Sequence, residues 1–234
     1  MCVPGSKRNS ARACACLWAT ALISFADLAQ AESFVVLDPP DTKAGYLATL
    51  LINESPFPGE RGYRSEADTQ GAMIAILWVL QSRLSLIPRG YTQKEVAGVR
   101  TDDVIDVITG TGGRTQCEGF YRDASGRFVS APRVIERVRY LVDLANSGGK
   151  PGRFAKLLNY AQGLARAYVQ GGIAGADRYA GLRRVGSIAV TGRAYSWMTD
   201  VDDAHPGGNF VTIPDADEGV LGGNRFFTLR KEPK

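Results

Sequence analysis

The sequence predicts a single-domain α+β protein, mostly helical, with short strands or loops after the main helices. Three observations carry that reading. Apolar residues recur at helical spacing in four segments between positions 42 and 170, each segment is bounded by Pro, Gly or capping residues, and the tail from Ser187 onward is rich in Gly, Asp and aromatics instead. With 234 residues, 44% of them hydrophobic, the chain is long enough to bury one sizeable core.

The N-terminus reads differently from that core. Lys7, Arg8 and Arg12 precede an apolar run from Ala13 to Leu28, followed by Ala29-Gln30-Ala31. A basic start, an apolar stretch and an A-x-A site describe a secretory signal over residues 1–31, cut after Ala31, with the working domain over 32–234. An uncleaved anchor is the alternative reading; Asp27 and the small-residue motif favour cleavage. The expected location is secreted or periplasmic. No later segment is apolar for long enough to span a bilayer.

Without the signal, 25 basic and 23 acidic side chains leave a net charge of +2. No Lys/Arg cluster is long enough to track a phosphate backbone, which argues against nucleic acid, while mild positivity tolerates an anionic wall polymer. Cys2, Cys14 and Cys16 fall within the signal, so Cys117 stands alone. A lone cysteine excludes an internal disulfide and a thiolate zinc cluster.

Taken in order, residues 32–41 (ESFVVLDPPD) form an extended lead-in ending at a double proline. Thr42 caps the first helix, whose Leu47, Leu50 and Leu51 share a face. Glu54 follows Leu47 by seven and Leu50 by four, so it points with the leucines. A Pro/Gly loop containing Glu60 leads to a core helix over about 69–84, with Ser65 and Asp68 as capping candidates and Met73, Ile76, Leu77, Leu80 and Leu84 on one stripe. Thr101 or Asp102 opens a short helix, DDVIDVIT, closed by Gly110, Gly112 and Gly113. A loop, RTQCEGFYRDASGRF, turns at Asp123 to Gly126. Ser130 and Pro132 start a third long helix ending at Gly148-Gly149, and Pro151 starts a fourth ending at Gly171-Gly172. SIAV, NFVTI and RFFTL are the short strands.

Glycoside cleavage needs a carboxylic acid that keeps its proton near neutral pH, and apolar surroundings raise a carboxyl pKa by penalising the charged form. Glu54 has that setting: it lies on the apolar face, at a helix end where a core can open into a cleft. The competing reading is a helix-end Glu that frays into solvent or pairs with Arg61 or Arg64.

A helix ending in Glu54, a Pro/Gly loop with Glu60, and an apolar helix ending VLQSRL together resemble cell wall hydrolases of the spore-cortex-lytic type. VIDVITG, TQCEGF, LARAYVQGG, AYSW and the terminal GGNRFFTL follow in the family's order, so that the similarity spans most of residues 44–229. The resemblance implies a lysozyme-like, lytic-transglycosylase-like fold and peptidoglycan glycan strands as substrate. It implies Glu54 as general acid and Glu60 as the second acidic position, orienting substrate or water. Two departures stand out: Ser82-Arg83 replaces an Asn-Arg pair, and Gly223-Asn224-Arg225 lies where the family has a histidine.

Hydrolysis uses a second carboxylate, for which Glu60, Glu66 and Asp68 are the candidates, whereas in lytic transglycosylation the muramic acid's own hydroxyl attacks and one acid/base suffices. The single-glutamate mechanism is favoured. Gln116, Phe120, Tyr121, Tyr195, Trp197 and Asn224 are aromatics and amides of the kind that line sugar grooves, in loops the resemblance places near the cleft.

A rival enzyme would pair Cys117 with His205, completed by Asn209 or Asp203, as a wall peptidase or amidase. A non-catalytic periplasmic binding module is the third class. No cofactor or metal is expected. One histidine leaves only oxygen ligands, the acidic runs DVDDAHPGGN and PDADEG have weak calcium loops as their alternative reading but read as solvated turns, and TGTGGR lacks both the strand and the lysine of a phosphate loop.

Overall fold

Pro39 and Pro40 bring the lead-in to a halt directly over the start of the first helix. A Cβ at Gly45 would sit 2.0 Å from the Pro39 carbonyl oxygen, so only glycine permits that crossing. The computed structural model describes residues 34–110, 117–148, 152–199, 205–214 and 220–231. The expected signal over 1–31, Gly112, Gly113, Gln116, Gly149, Pro151, Asp203 and residues 215–219 of the PDADEG run lie outside the described residues.

Helix α1 (Lys43–Asn53) starts at Thr42, whose hydroxyl accepts from the Gly45 N–H, and is buried along nearly its whole length. It forms the centre of the core. Around it pack α5 (Pro132–Ser147) and α6 (Arg153–Val169), and α2 (Glu66–Ser85) packs on α6. Ser65 caps α2 through the Asp68 N–H, as expected, while α5 begins at Pro132 without a side-chain cap and Ser130 lies in a strand. The short helices α3 (Gln93–Ala97) and α4 (Val104–Thr109) follow α2; Asp103, one residue beyond the expected start, caps α4. The turn at 123–126 joins β1 (Phe120–Arg122) and β2 (Phe128–Ser130) into a hairpin.

The C-terminal third corrects the expected fold class. Helix accounts for 42% of the described residues and strand for 19%, so neither "mostly helical" nor a lysozyme-like domain trailed by short strands describes this chain. β3 (Leu182–Val185), β4 (Ile188–Thr199), β5 (Phe210–Thr212), β6 (Val220–Leu221) and β7 (Asn224–Arg230) form a five-stranded antiparallel sheet in the order β3-β4-β7-β5, with β6 also paired to β7. β4 packs against α2.

The physical reason is the run VTGRAYSWMT. Its alternation breaks where the register with β7 shifts between Val190 and Ser196, so that four consecutive residues, Ala194 to Trp197, are all buried. A bulged strand buried on both faces shows no period of two.

The β6–β7 connection is a two-residue turn, Gly222-Gly223, with φ of 51° and 70°. Only residues tolerant of positive φ suit such a turn. It docks on α2, where a Cβ on Gly222 would lie 2.7 Å from Ala72 Cβ and the Gly222 N–H donates to Asp68 Oδ2 at 2.9 Å. That docking sets Asn224 under the end of α1.

Candidate functional site

The last turn of α1 leaves carbonyl oxygens without helical partners, as every helix end does. Here they are met from two sides. Asn224 Nδ2 donates to the Glu54 carbonyl at 2.6 Å, while Arg137 Nη1 donates to Ile52 O at 2.5 Å and Arg137 Nη2 to Ser55 O at 3.0 Å. A cation at a helix C-terminus is also favoured by the helix dipole. The Glu54 backbone is therefore held, with φ −83° and ψ −3°, and its side chain does not fray.

That side chain lies half-buried at the floor of a cleft of about 640 Å³ between the end of α1, the N-terminal half of α5 and the end of β4. Trp197 Nε1 donates to Glu54 Oε2 and Asn53 Nδ2 to Oε1, each at 3.1 Å. Burial pushes the Glu54 carboxyl above the ordinary carboxylate range. The donors from Trp197 and Asn53, and the charge of Arg137, pull it back without cancelling that shift; the charge of Glu118 adds to it. A second lobe of about 340 Å³ adjoins, and Asn53, Glu54, Arg137 and Thr199 line both. Glu54 thus stands where two lobes meet.

Comparison with family models, curated proteins and solved structures returned no match. The chemistry of the cleft is carried by its own residues.

Of the residues singled out in the sequence, Glu54 and Trp197 face one another in the cleft. Trp197 is a hydrogen-bond donor to the carboxylate as well as part of the wall. Asn224 is fully buried beneath them and holds the Glu54 backbone, so it supports the site without reaching a ligand. Glu60 lines the second lobe, but both its oxygens are taken. Arg137 donates from Nε to Oε1 at 3.1 Å and from Nη2 to Oε2 at 2.5 Å, and the Phe57 N–H donates to Oε2 at 2.7 Å. Glu60 orients the arginine that holds α1.

Phe120 is buried edge-on to Tyr46 at 5.3 Å, and Tyr121 is exposed on β1 outside the cleft lining. Tyr195 belongs to a separate apolar cluster with Val96 and Leu229, its hydroxyl donating to Leu86 O at 2.8 Å. Among the other acidic candidates, Glu66 accepts from Gln70 within α2, and Asp68 accepts from the Gly222 N–H.

The cysteine pair is not assembled. Cys117 does line the cleft, but burial pushes its thiol well above the ordinary range, which disfavours the thiolate a nucleophile requires. No histidine is among the lining residues; His205 is exposed, packs edge-on to Phe227 and accepts from the Gly207 N–H at Nδ1. Asn209 is exposed as well.

Sequence reasoning missed Asn53, Arg137, Arg133 and Glu118. Arg133 and Arg137 sit four apart on α5 and read in sequence as a solvated face; their only signal was that shared spacing. Among the described residues no group of three His, Cys, Asp or Glu side chains is placed to hold a metal ion, and no helix is long and apolar enough to cross a membrane.

Proposed function

We propose that the chain cleaves the glycan strand of peptidoglycan, with Glu54 as the general acid that protonates the leaving glycosidic oxygen. The observation that carries this reading is the setting of Glu54: a carboxyl raised by burial, steered by two N–H donors, at the junction of two lobes of an open cleft. A raised pKa keeps the acid protonated when substrate arrives, and a through-running cleft suits a polymer cut in mid-chain.

The arrangement favours a single-carboxylate mechanism. Glu60 is engaged by Arg137 and the Phe57 N–H, so it is not free to activate water. In lytic transglycosylation, Glu54 gives its proton to the leaving oxygen as the C1–O bond breaks. The muramyl 6-hydroxyl then bonds to C1, and its proton returns to the Glu54 carboxylate. The ring closes to a 1,6-anhydro sugar, with no water consumed.

Mass spectrometry of peptidoglycan digested with the protein tests this. Anhydro-muropeptides are the expected product. Reducing ends would assign hydrolysis and require a second carboxylate, new amino groups would assign the peptidase, and no release at all would leave a binding module.

A further inference from the structure

Among the described residues, Arg133 is the exposed arginine of the larger lobe. Three arginines, Arg83, Arg133 and Arg137, line the larger lobe. Against them, among the described residues of that lining, stand the carboxyl groups of Glu54 and Glu118. The three are not equivalent. Arg137 is bound to Glu60, Ile52 and Ser55, and Arg83 is buried, donating from Nε to the Tyr195 carbonyl at 2.6 Å with its guanidinium 5.7 Å from the Trp197 ring. Arg133 pairs with Glu118, and 60% of the Arg133 side chain and 85% of the Glu118 side chain remain exposed.

Ion pairs that exposed contribute little stability, because water and salt compete for both partners. A guanidinium also presents a planar fork that matches a carboxylate with two parallel hydrogen bonds. We infer that Arg133 reads a carboxylate on the glycan strand, which displaces Glu118 from it, and that the substrate of the cleft is an acidic glycan. The inference rests on the strand-cleaving reading for the identity of the polymer. Two strand groups share the required chemistry: the lactyl carboxylate of a peptide-free muramyl residue and the free carboxylates of a stem peptide.

The test measures binding, so it stands apart from turnover. The full chain carrying Glu54→Gln is titrated with peptide-free strands and with peptide-bearing strands, each before and after its carboxylates are amidated. Amidation is expected to raise the Kd about tenfold or more for one strand type, the size of a lost charge-assisted pair. The strand that shows the drop identifies which carboxylate is read. Adding Arg133→Gln should abolish the difference between acid and amide, Arg133→Lys should retain part of it, and Glu118→Gln should tighten binding by about threefold or more by removing the competitor. Thermal melting of each variant establishes that it folds.

Equal Kd values for acid and amide forms of both strands would overturn the inference, as would no binding of any strand or an acid preference that survives Arg133→Gln. Unchanged affinity in Glu118→Gln would overturn the displacement of Glu118. Carboxylate-dependent binding by a wild-type protein that releases no glycan fragments would sink the cleavage reading and leave the anion site standing.

Discussion

Glu54 and Glu60 lie six residues apart and both line the smaller lobe of the cleft, yet one carboxyl meets two neutral N–H donors while the other is gripped by a guanidinium. The difference separates two uses of an acidic side chain. Burial without an adjacent bonded cation favours the neutral form and leaves a proton to donate; a bidentate arginine occupies both oxygens and spends the carboxylate on structure. Arg137 links the two, because the same guanidinium that binds Glu60 holds the backbone on either side of Glu54.

The largest break in this comparison is Glu54→Gln. Loss of a general acid typically costs 10²–10⁴ in rate, so release of muropeptides should fall by about 10³. The fold should survive and gain stability. A folded-state pKa above the ordinary 4.5 means that the folded protein binds the proton more tightly than the unfolded chain, so stability conferred by the protonated form is lost as pH rises between the two values. Glutamine carries no such penalty. Melting temperatures should therefore favour the variant at pH 7 and converge at pH values below 4.5. A variant less stable than wild type at pH 7 would contradict the assigned environment.

Next in size is the clamp. Arg137→Ala removes the partner of Glu60 and the donors to Ile52 O and Ser55 O. A fully buried pair broken on one side costs 3–5 kcal/mol; with 25% of the Arg137 and 35% of the Glu60 side chain exposed, about 2–3 kcal/mol is expected by denaturant unfolding. Glu60→Gln should cost about 1 kcal/mol and reduce turnover less than about tenfold. A thousandfold loss in Glu60→Gln with unchanged stability would make Glu60 catalytic and erase the contrast drawn above.

Asn224→Ala tests the support from the opposite side. It deletes the bond to the Glu54 carbonyl from a fully buried position, with an expected cost of about 1–3 kcal/mol for the stranded acceptor. Turnover should fall with it as Glu54 loosens. Retained stability would show that the β6–β7 turn alone holds the end of α1.

How far the sequence anticipated this arrangement follows from the range of the interactions involved. α1, α2, α5 and α6 were legible because their signals are local: Thr42, Ser65 and Pro132 start the first three, and apolar spacing carries all four. Glu54 was legible for the same reason, since its helical phase is set by the leucines before it. Of the five-stranded sheet, NFVTI and RFFTL were legible as β5 and β7, but the extent of β4 and the pairing were not, because β4 is bulged and buried on both faces and its partners lie up to about 40 residues away. Nor was Arg137, nor the supporting role of Asn224. Each acts on the α1 terminus across more than 80 residues of chain, and nothing near either in the sequence marks that contact. Tyr195 and Trp197 show the limit most directly. Two aromatics in one AYSW segment, alike in composition, end in different places: a satellite apolar cluster for one and the cleft for the other.

The finest adjustment lies with Trp197. Trp197→Phe keeps an aromatic wall but removes the indole N–H that donates to Glu54 Oε2. That donor favours the charged carboxylate and lowers a pKa that burial has raised, so without it the Glu54 pKa should climb further. A general acid loses activity as pH rises through its own pKa, and the alkaline limb of the kcat/KM profile should therefore move to higher pH in the variant. At acidic pH, where Glu54 is protonated in both proteins, turnover should differ by less than about tenfold, because the lost bond is a single neutral donor. A limb displaced to lower pH would mean that Trp197 stabilises the acid and not its anion. An unmoved limb would place the titrating group elsewhere in the cleft, with Glu118 the first side chain to substitute.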